Sequence, residues 1–454
     1  MDQKENQFKK MTQTPVKRLI LTLGFPTTIS MLVTNIYNMV DTYFVSSIST
    51  SASGAVGVVF GLMAVLQAFG FMFGHGAGTN ISQSLGAKKV DRALQFSATS
   101  FYVSIAASLM VTIFGLLFLT PFMYLLGSTD TILPYARTYA FFILISAAAM
   151  VSSCVTNNIL RYEGKAMVAM VGLVSGSFLN IFGDYIFIRI MHMGIAGAGL
   201  STCISQYISA AILIMPFVSH QTVSRFNIKD VRINATILIK IITTGFPSFI
   251  RQGMASIGTM VLNRQAGFYG DAAIAAMSIV GRINAFFFSA SIGIGQGLQP
   301  VTAFNYGAKQ YKRVRHAFNF TLMFTTGVLI VLGALGIIYS KELITLFRND
   351  PEVIRIGHTG LIYQCLALMT VPVCMCGNMQ LQSVGRSGPA TILASLRNGI
   401  VFLPLIIILP SVFGIFGVQI AQPLSDVISS IVTVPFIVSF FKSIPKEDEK
   451  LQRA

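Results

Sequence analysis

Three carboxylates, Asp41, Asp184 and Asp426, sit inside long apolar stretches of this 454-residue chain. A charge at the centre of a helix in lipid costs about 2.5–3.5 kcal/mol on insertion scales, so each needs a compensating reason. Tyr37 precedes Asp41 by one helical turn, with Asn35 and Asn38 nearby in sequence. Asn180 precedes Asp184 by four residues, which puts the two on one helix face. Amide and carboxylate oxygens together suit a hard cation or a proton relay. Local pairing is the competing reading, because Arg189 follows Asp184 by five residues and Asp41 lies close to the outer end of its stretch. Asp426, near Gln419 and Gln422, stays open between a structural and a functional role. His75 lies in Gly74-His75-Gly76-Ala77-Gly78 and reads as a packed, hydrogen-bonding residue, since small neighbours let helices approach closely.

The elements that must position these groups follow from composition. The chain is 54% hydrophobic and only 11% charged, with mean hydropathy +0.71. Soluble domains carry about 25% charged residues, and one compact core cannot hide this much apolar surface. A bilayer removes the problem, with helices of about 20 apolar residues satisfying their own backbone groups. The apolar runs are continuous rather than alternating, so the spans are helical. Twelve are expected, at 16–46, 53–83, 92–120, 131–158, 165–190, 194–219, 236–268, 272–305, 314–340, 352–380, 389–411 and 415–441. Several exceed 25 residues, which implies tilt or kinks.

The net charge of +16 does not form a nucleic-acid-binding stripe; Lys and Arg cluster between the spans. With the N-terminus inside, 23 of the 32 basic residues fall on the cytoplasmic side and six on the other, which makes both termini cytoplasmic. The polar, mixed-charge start from Met1 to Lys10 reads as no cleavable signal peptide. All five cysteines lie inside apolar segments, and Cys374 and Cys376 have no His or acidic residue beside them in sequence, so they read as packing residues rather than a zinc site.

Shifting the chain by 221 residues aligns it with itself. Gly24-Phe25-Pro26 falls on Gly245-Phe246-Pro247, Gly74 and Gly76 on Gly295 and Gly297, Gly86-Ala87-Lys88 on Gly307-Ala308-Lys309, and Gly164 on Gly385. Near the end the offset slips by one, so Gly194-Ile195 meets Gly414-Ile415. Six helices per repeat, an even number, make the repeats parallel, an architecture found in transporters. The expected organisation is an N-terminal six-helix lobe (1–219), a basic cytoplasmic linker (220–235) and a C-terminal six-helix lobe with a short tail (236–454). Pro26 removes a backbone hydrogen bond about four turns before Asp41 and is expected to serve as a bending point or gate.

Taken in this order and at this offset, these residues resemble the multidrug and toxic compound extrusion (MATE) family from about residue 15 to 440. The resemblance rests on the repeated Gly-Phe-Pro and Gly-Ala-Lys, on Gly295-Gln296-Gly297-Leu298-Gln299-Pro300, and on Leu179-Asn180 ahead of Asp184. It implies an all-α integral membrane fold of two pseudo-symmetric six-helix bundles. The chain looks closest to the DinF-like branch, which keeps its coupling acids in the N-terminal half. The resemblance further implies that Asn180 and Thr202 join Asp41 and Asp184 in a proton or Na+ site, and that Tyr37, Phe60, Tyr139 and Asn157 line the N-lobe cavity. Tyr185 stands where many relatives carry Pro after the acid, a departure that bears on the helix geometry around Asp184.

The implied activity is not enzymatic: no cofactor is expected, only H+ or Na+ as coupling ion. The expected cargo is amphipathic, often cationic organic compounds and drugs, exported by antiport. A monomer in contact with lipid, without nucleic acid, in the cytoplasmic (inner) membrane completes the expectation. The rival within the same architecture is a flippase of lipid-linked precursors, which would want a cationic cavity for anionic head groups. A membrane-embedded enzyme is disfavoured by the lack of any His-Glu-x-x-His or Gly-x-Ser-x-Gly motif in the spans.

Overall fold

The computed structural model describes residues 3–448. Met1, Asp2 and residues 449–454, the ends of the expected N-terminal lobe and C-terminal tail, lie outside the described residues. The chain is all-α, and no strand occurs among the described residues. A polar helix α1 (Gln3–Gln13) precedes α2 (Val16–Ser46), α3 (Thr50–Gly86), α4 (Val90–Leu117), the short α5 (Leu119–Leu125), α6 (Leu133–Tyr162), α7 (Ala166–Asp184) and α8 (Gly194–Val218). The second half repeats this order from α9 (Ala235–Gly267) through α10 (Asp271–Gly307), α11 (Tyr311–Ile338), the short α12 (Ser340–Phe347), α13 (Pro351–Ala367), α14 (Val371–Ser383), α15 (Ser387–Ser395), α16 (Phe402–Phe413) and α17 (Ile415–Ser443).

Among the described residues, ten helical stretches are long and apolar enough to cross a membrane, and the pair α13–α14 adds an eleventh. The one remaining expected span, the seventh at 236–268, is the 33-residue α9, in which Lys240, Arg251 and Arg264 lower the hydropathy. Expected span 352–380 is not one straight helix. It breaks between Ala367 and Val371 with a 53° bend, where Pro372 enters the first turn of α14 and cannot donate a backbone hydrogen bond. α2, by contrast, runs unbroken through Pro26. The short helices α5 and α12 fall almost wholly in the stretches expected to link spans, and they occupy matching places in the two halves.

The internal repeat is visible in backbone conformation. Lys88 and Lys309 share φ near +60°, Gly164 and Gly385 share φ near +80°, and Gly194 and Gly414 share φ near +60°. Each pair closes the same helix junction in its half. The Lys positions are non-glycine residues in the left-handed region, tolerated because the turn satisfies the helix ends: Lys89 N donates to the Ser84 carbonyl and Gln310 N to the Asn305 carbonyl, both at 2.8 Å. Packing repeats as well, with α3 on α6, α6 on α8 and α7 on α8 mirrored by α10 on α13 and α14, both of these on α17, and α16 on α17.

The chain divides into two compact units. One unit comprises Met1–Met11 and Ile29–Gln252, and the other comprises Thr12–Thr28 and Gly253–Ala454. Each half's first helix therefore lends its opening segment to the unit built by the other half, and the change falls just after Pro26 in one case and just after Pro247 in the other. Glycines make this seating feasible. In the first unit, a Cβ on Gly245 would lie 1.8 Å from the Met72 carbonyl oxygen, and one on Gly76 would lie 2.0 Å from that of Ile241. In the second, a Cβ on Gly297 would lie 2.7 Å from the Gly24 nitrogen. The repeated glycines mark backbone-to-backbone contacts that no side chain could enter.

The linker is pinned to the first unit. Glu163 is buried and accepts the Ser224 and Val223 backbone N–H groups at 2.7 and 3.1 Å, while Phe226 stacks on Phe101 and Phe217 at 4.0 and 4.3 Å. Burial raises the Glu163 pKa, and these donors oppose the rise.

Candidate functional site

Within the first unit, α7 and α8 pack with almost no gap. A Cβ on Gly172 would meet the Leu213 side chain, one on Gly176 the Ser209 side chain, and one on Gly183 the Ser201 hydroxyl at 2.4 Å. This small-residue seam sets Asn180 and Asp184 against the start of α8. Asn180 donates from Nδ2 to Thr202 Oγ1 at 3.1 Å and to Ser201 Oγ at 3.4 Å, and Ser201 returns its own hydroxyl hydrogen to the Asn180 carbonyl at 2.9 Å. Directly after Asp184 the helix widens into a π-helical turn, Tyr185–Ile190. Such turns occur often at functional sites. Tyr185, the residue in place of proline, therefore continues the helix in a widened form, and its ring meets the edge of Phe44 from α2 at 6.5 Å.

That contact falls one turn beyond Asp41, and it brings α2 to the seam. The Asp41 and Asp184 side chains are within hydrogen-bonding reach of each other, and both are buried, at 8% and 0% exposure. Tyr37 and Tyr139 lie in the field of both carboxylates, and the Tyr139 side chain lies close to that of Thr202. Four buried oxygens in this cluster lack a well-formed hydrogen bond, namely Asp41 Oδ1, Asn180 Oδ1 and both Asp184 oxygens; the Ser201 hydroxyl lies near Asp184 but is given to the Asn180 carbonyl. Buried acceptors without donors are rare, because each forfeits its hydration without replacement. A cluster of acceptors alone can be satisfied by a proton or by a small hard cation, and the carboxylate, amide and hydroxyl oxygens present are the right chemistry for either.

The structure thus gathers Asp41, Asn180, Asp184, Thr202, Tyr37 and Tyr139 into one cluster. Phe60, 54% exposed on α3, and Asn157, partly buried on α6, are not joined to it by a hydrogen bond or ring contact among the described residues. Pro26 lies on the same helix as Asp41 but outside the cluster. Ser201 is an addition that sequence reading missed. The signal was the spacing of Gly172, Gly176 and Gly183, which marks the α7 face that must meet a neighbouring helix. Among the described residues, no group of three or more His, Cys, Asp or Glu side chains converges as for a metal ion.

Asp426 in the second unit differs in kind. Arg397 Nε meets Asp426 Oδ1 at 2.7 Å, Gln422 donates to the same oxygen at 2.9 Å, and Gln364 donates to Oδ2 at 2.9 Å. The guanidinium also lies 4.1 Å from the Phe288 ring centroid. This carboxylate is satisfied by the protein and ties α13 to α17 and to the π-helical turn Leu396–Ile400 after α15, which is the arrangement of a structural ion pair. His75 is likewise engaged: Nδ1 lies 2.6 Å from Ser248 Oγ and Nε2 lies 3.1 Å from Arg161 Nη2. A guanidinium only donates, so Nε2 accepts and the ring proton sits on Nδ1.

The MatE family model matches residues 26–186 and 247–408, two segments that begin on Pro26 and Pro247. The chain belongs to the MATE family. It is accordingly a multi-pass membrane transporter and not an enzyme. The multidrug export protein MepA of Staphylococcus haemolyticus is 26% identical over 416 residues, covering 91% of this chain and 92% of its own. MepA of Staphylococcus aureus strain MRSA252 is 28% identical over 417 residues with the same coverage. Among solved structures, a MATE protein crystallised with MaL6 superposes with TM-score 0.91 at 24% identity, covering 96% of this chain and 98% of the other. A MOP superfamily transporter from Pyrococcus furiosus superposes with TM-score 0.91 at 23% identity and the same coverage. At these identities the structural likeness speaks for the two-bundle fold alone.

Proposed function

We propose that this MATE transporter exports amphipathic, often cationic organic compounds in exchange for H+ or Na+, with Asp41 and Asp184 as the coupling pair. The observation that carries the proposal is the buried set of four acceptor oxygens that lack a well-formed hydrogen bond. Two neighbouring carboxylates screened from water repel each other, and one ion between them removes the repulsion. Asn180, oriented by Thr202 and Ser201, presents its carbonyl oxygen to the same ion. Tyr37 and Tyr139 add phenol groups at the edge, and with Phe60 and Asn157 they form the proposed cargo-lining surface of the first lobe. Relatives named as multidrug export proteins support the cargo class. The acidic character of the cluster disfavours the anionic head groups that a lipid-linked precursor flippase would carry.

Coupling follows from competition. An ion entering the cluster satisfies the acceptors and lets α2 settle against α7 and α8, while loss of the ion restores a negative site that attracts a cation. Pro26 lacks the N–H that would bond the Thr22 carbonyl, so α2 bends there at low cost. Both termini are placed in the cytoplasm by the charge bias, and the chain works as a monomer in the cytoplasmic membrane.

Proteoliposomes loaded with a fluorescent organic cation, and given a pH gradient or a Na+ gradient separately, test the reading. One gradient is expected to drive transport of the dye against its own gradient, while the other is without effect. Transport insensitive to both gradients would overturn the coupling, and preferential movement of an anionic amphiphile would overturn the cargo class.

A further inference from the structure

In the second unit, the start of α2 and the start of α11 enclose a cavity of about 430 Å³ lined by Pro15, Val16, Lys17, Lys312, Arg313 and His316. Lys17, Lys312 and His316 are exposed at its rim. Arg313 forms a fixed wall, donating to Asn305 Oδ1 at 2.9 Å and to the Thr14 carbonyl at 2.7 Å. Among the described residues, Asp448 is the carboxylate that meets this rim. Its Oδ1 accepts the Lys312 backbone N–H at 2.8 Å, which leaves a clear excess of positive charge at the rim.

The same helix carries a second depression, of about 480 Å³, lined only by Met323, Phe324, Gly327, Val328, Val331 and Leu332. Phe320 joins the two. Its ring lies 5.9 Å below the Lys17 ammonium and stacks on Phe324 at 5.6 Å. Residues 316, 320, 324, 327 and 331 recur at three- and four-residue spacing, so both depressions share one face of α11. From His316 to Val331 the helix rises about 22 Å, the depth of one leaflet with its head groups. Met323 at 75% and Val331 at 59% exposure leave the groove open along its length, and a Cβ on Gly327 would meet nothing within 4 Å.

A positive cup at the end of a span, continued by an apolar groove of leaflet length, matches a molecule with an anionic head and a hydrocarbon tail. We infer that this face of α11 binds one anionic phospholipid of the leaflet on the side of the termini, with its phosphate among Lys17, Lys312 and His316 and an acyl chain over Gly327. A basic residue near an anionic lipid surface contributes about 1 kcal/mol, roughly a fivefold change in affinity.

Full-length protein in phosphatidylcholine nanodiscs with increasing phosphatidylglycerol, released into native mass spectrometry, reads the retained anionic lipid directly. The wild type is expected to retain one phosphatidylglycerol. Lys17→Gln with Lys312→Gln is expected to require about 25-fold more phosphatidylglycerol for the same occupancy. Gly327→Leu, which fills the groove without a clash, is expected to weaken retention while both lysines remain. Inorganic phosphate at millimolar concentration should not displace the lipid. Unchanged retention in the double lysine variant, unchanged retention in Gly327→Leu, or displacement by inorganic phosphate would each overturn the assignment, the last by showing a phosphate site instead.

Discussion

Replacing Asp41 with Asn is expected to reduce gradient-driven efflux to the level of empty vesicles while leaving insertion and folding intact. The argument is local. An Asn at this position brings two N–H donors to a cluster that consists of acceptors, so Asp184 and Asn180 Oδ1 can be satisfied by the protein itself. The site then has no need of an ion, and binding of ion and cargo is no longer exclusive. The same change removes part of a buried penalty of about 1–3 kcal/mol per unsatisfied group, so thermal stability should hold or rise. Efflux assays in cells, paired with thermal unfolding of the purified variant, check both halves. Normal efflux in Asp41→Asn would remove the residue from the coupling site.

Arg397→Met is expected to do the opposite. It leaves Asp426 buried with only two amide donors, and breaking a buried ion pair from one side costs about 3–5 kcal/mol. The variant should unfold at a clearly lower temperature, yet transport normally per folded molecule. Adding Asp426→Leu to Arg397→Met should recover most of the loss, since an apolar pair of similar volume replaces a buried ion pair at little cost. A stable Arg397→Met protein with no transport would instead give the second-unit pair a functional role. The two expectations separate two kinds of intramembrane acid. Asp426 is satisfied by the protein, while Asp41 and Asp184 are proposed to be left open to an ion.

Sequence patterning carries the helices well and the pairing of side chains poorly. The expected spans agree with the helices to within a few residues at most ends, because twenty-residue apolar runs bounded by polar turns leave little freedom. The 221-residue repeat, read from glycines and prolines, reappears as matched positive φ at Lys88 and Lys309 and as matched backbone contacts at Gly76 and Gly297. The break before α14 and the short helix α5 lie in largely apolar sequence, where hydropathy has no signal to offer, and Lys341-Glu342 at the start of α12 mark the end of a span without showing that a new helix begins there. The exchange of opening segments between the units was hidden for a different reason: connectivity in sequence says nothing about which bundle a helix segment packs into. The partners of Asp426 show the same limit. Arg397 and Gln364 lie 29 and 62 residues away, and helical periodicity relates only residues within a few turns. Asp184 and Asn180 could be placed on one face from spacing alone, whereas the approach of Asp41 on α2 depends on packing that only the folded unit provides.

In the proposed exchange, one ion and one cationic cargo compete for the Asp41–Asp184 cluster. This competition is tested most directly by counting ions released when cargo binds to the purified transporter. In weakly buffered solution with a pH indicator and a sodium electrode, saturating the wild type with an organic cation should release roughly one H+ or one Na+ per cargo bound, by linkage. Asp184→Asn should bind the cargo without releasing either ion. Equal release from the wild type and Asp184→Asn would contradict the account, because the displaced ion would then reside elsewhere in the molecule.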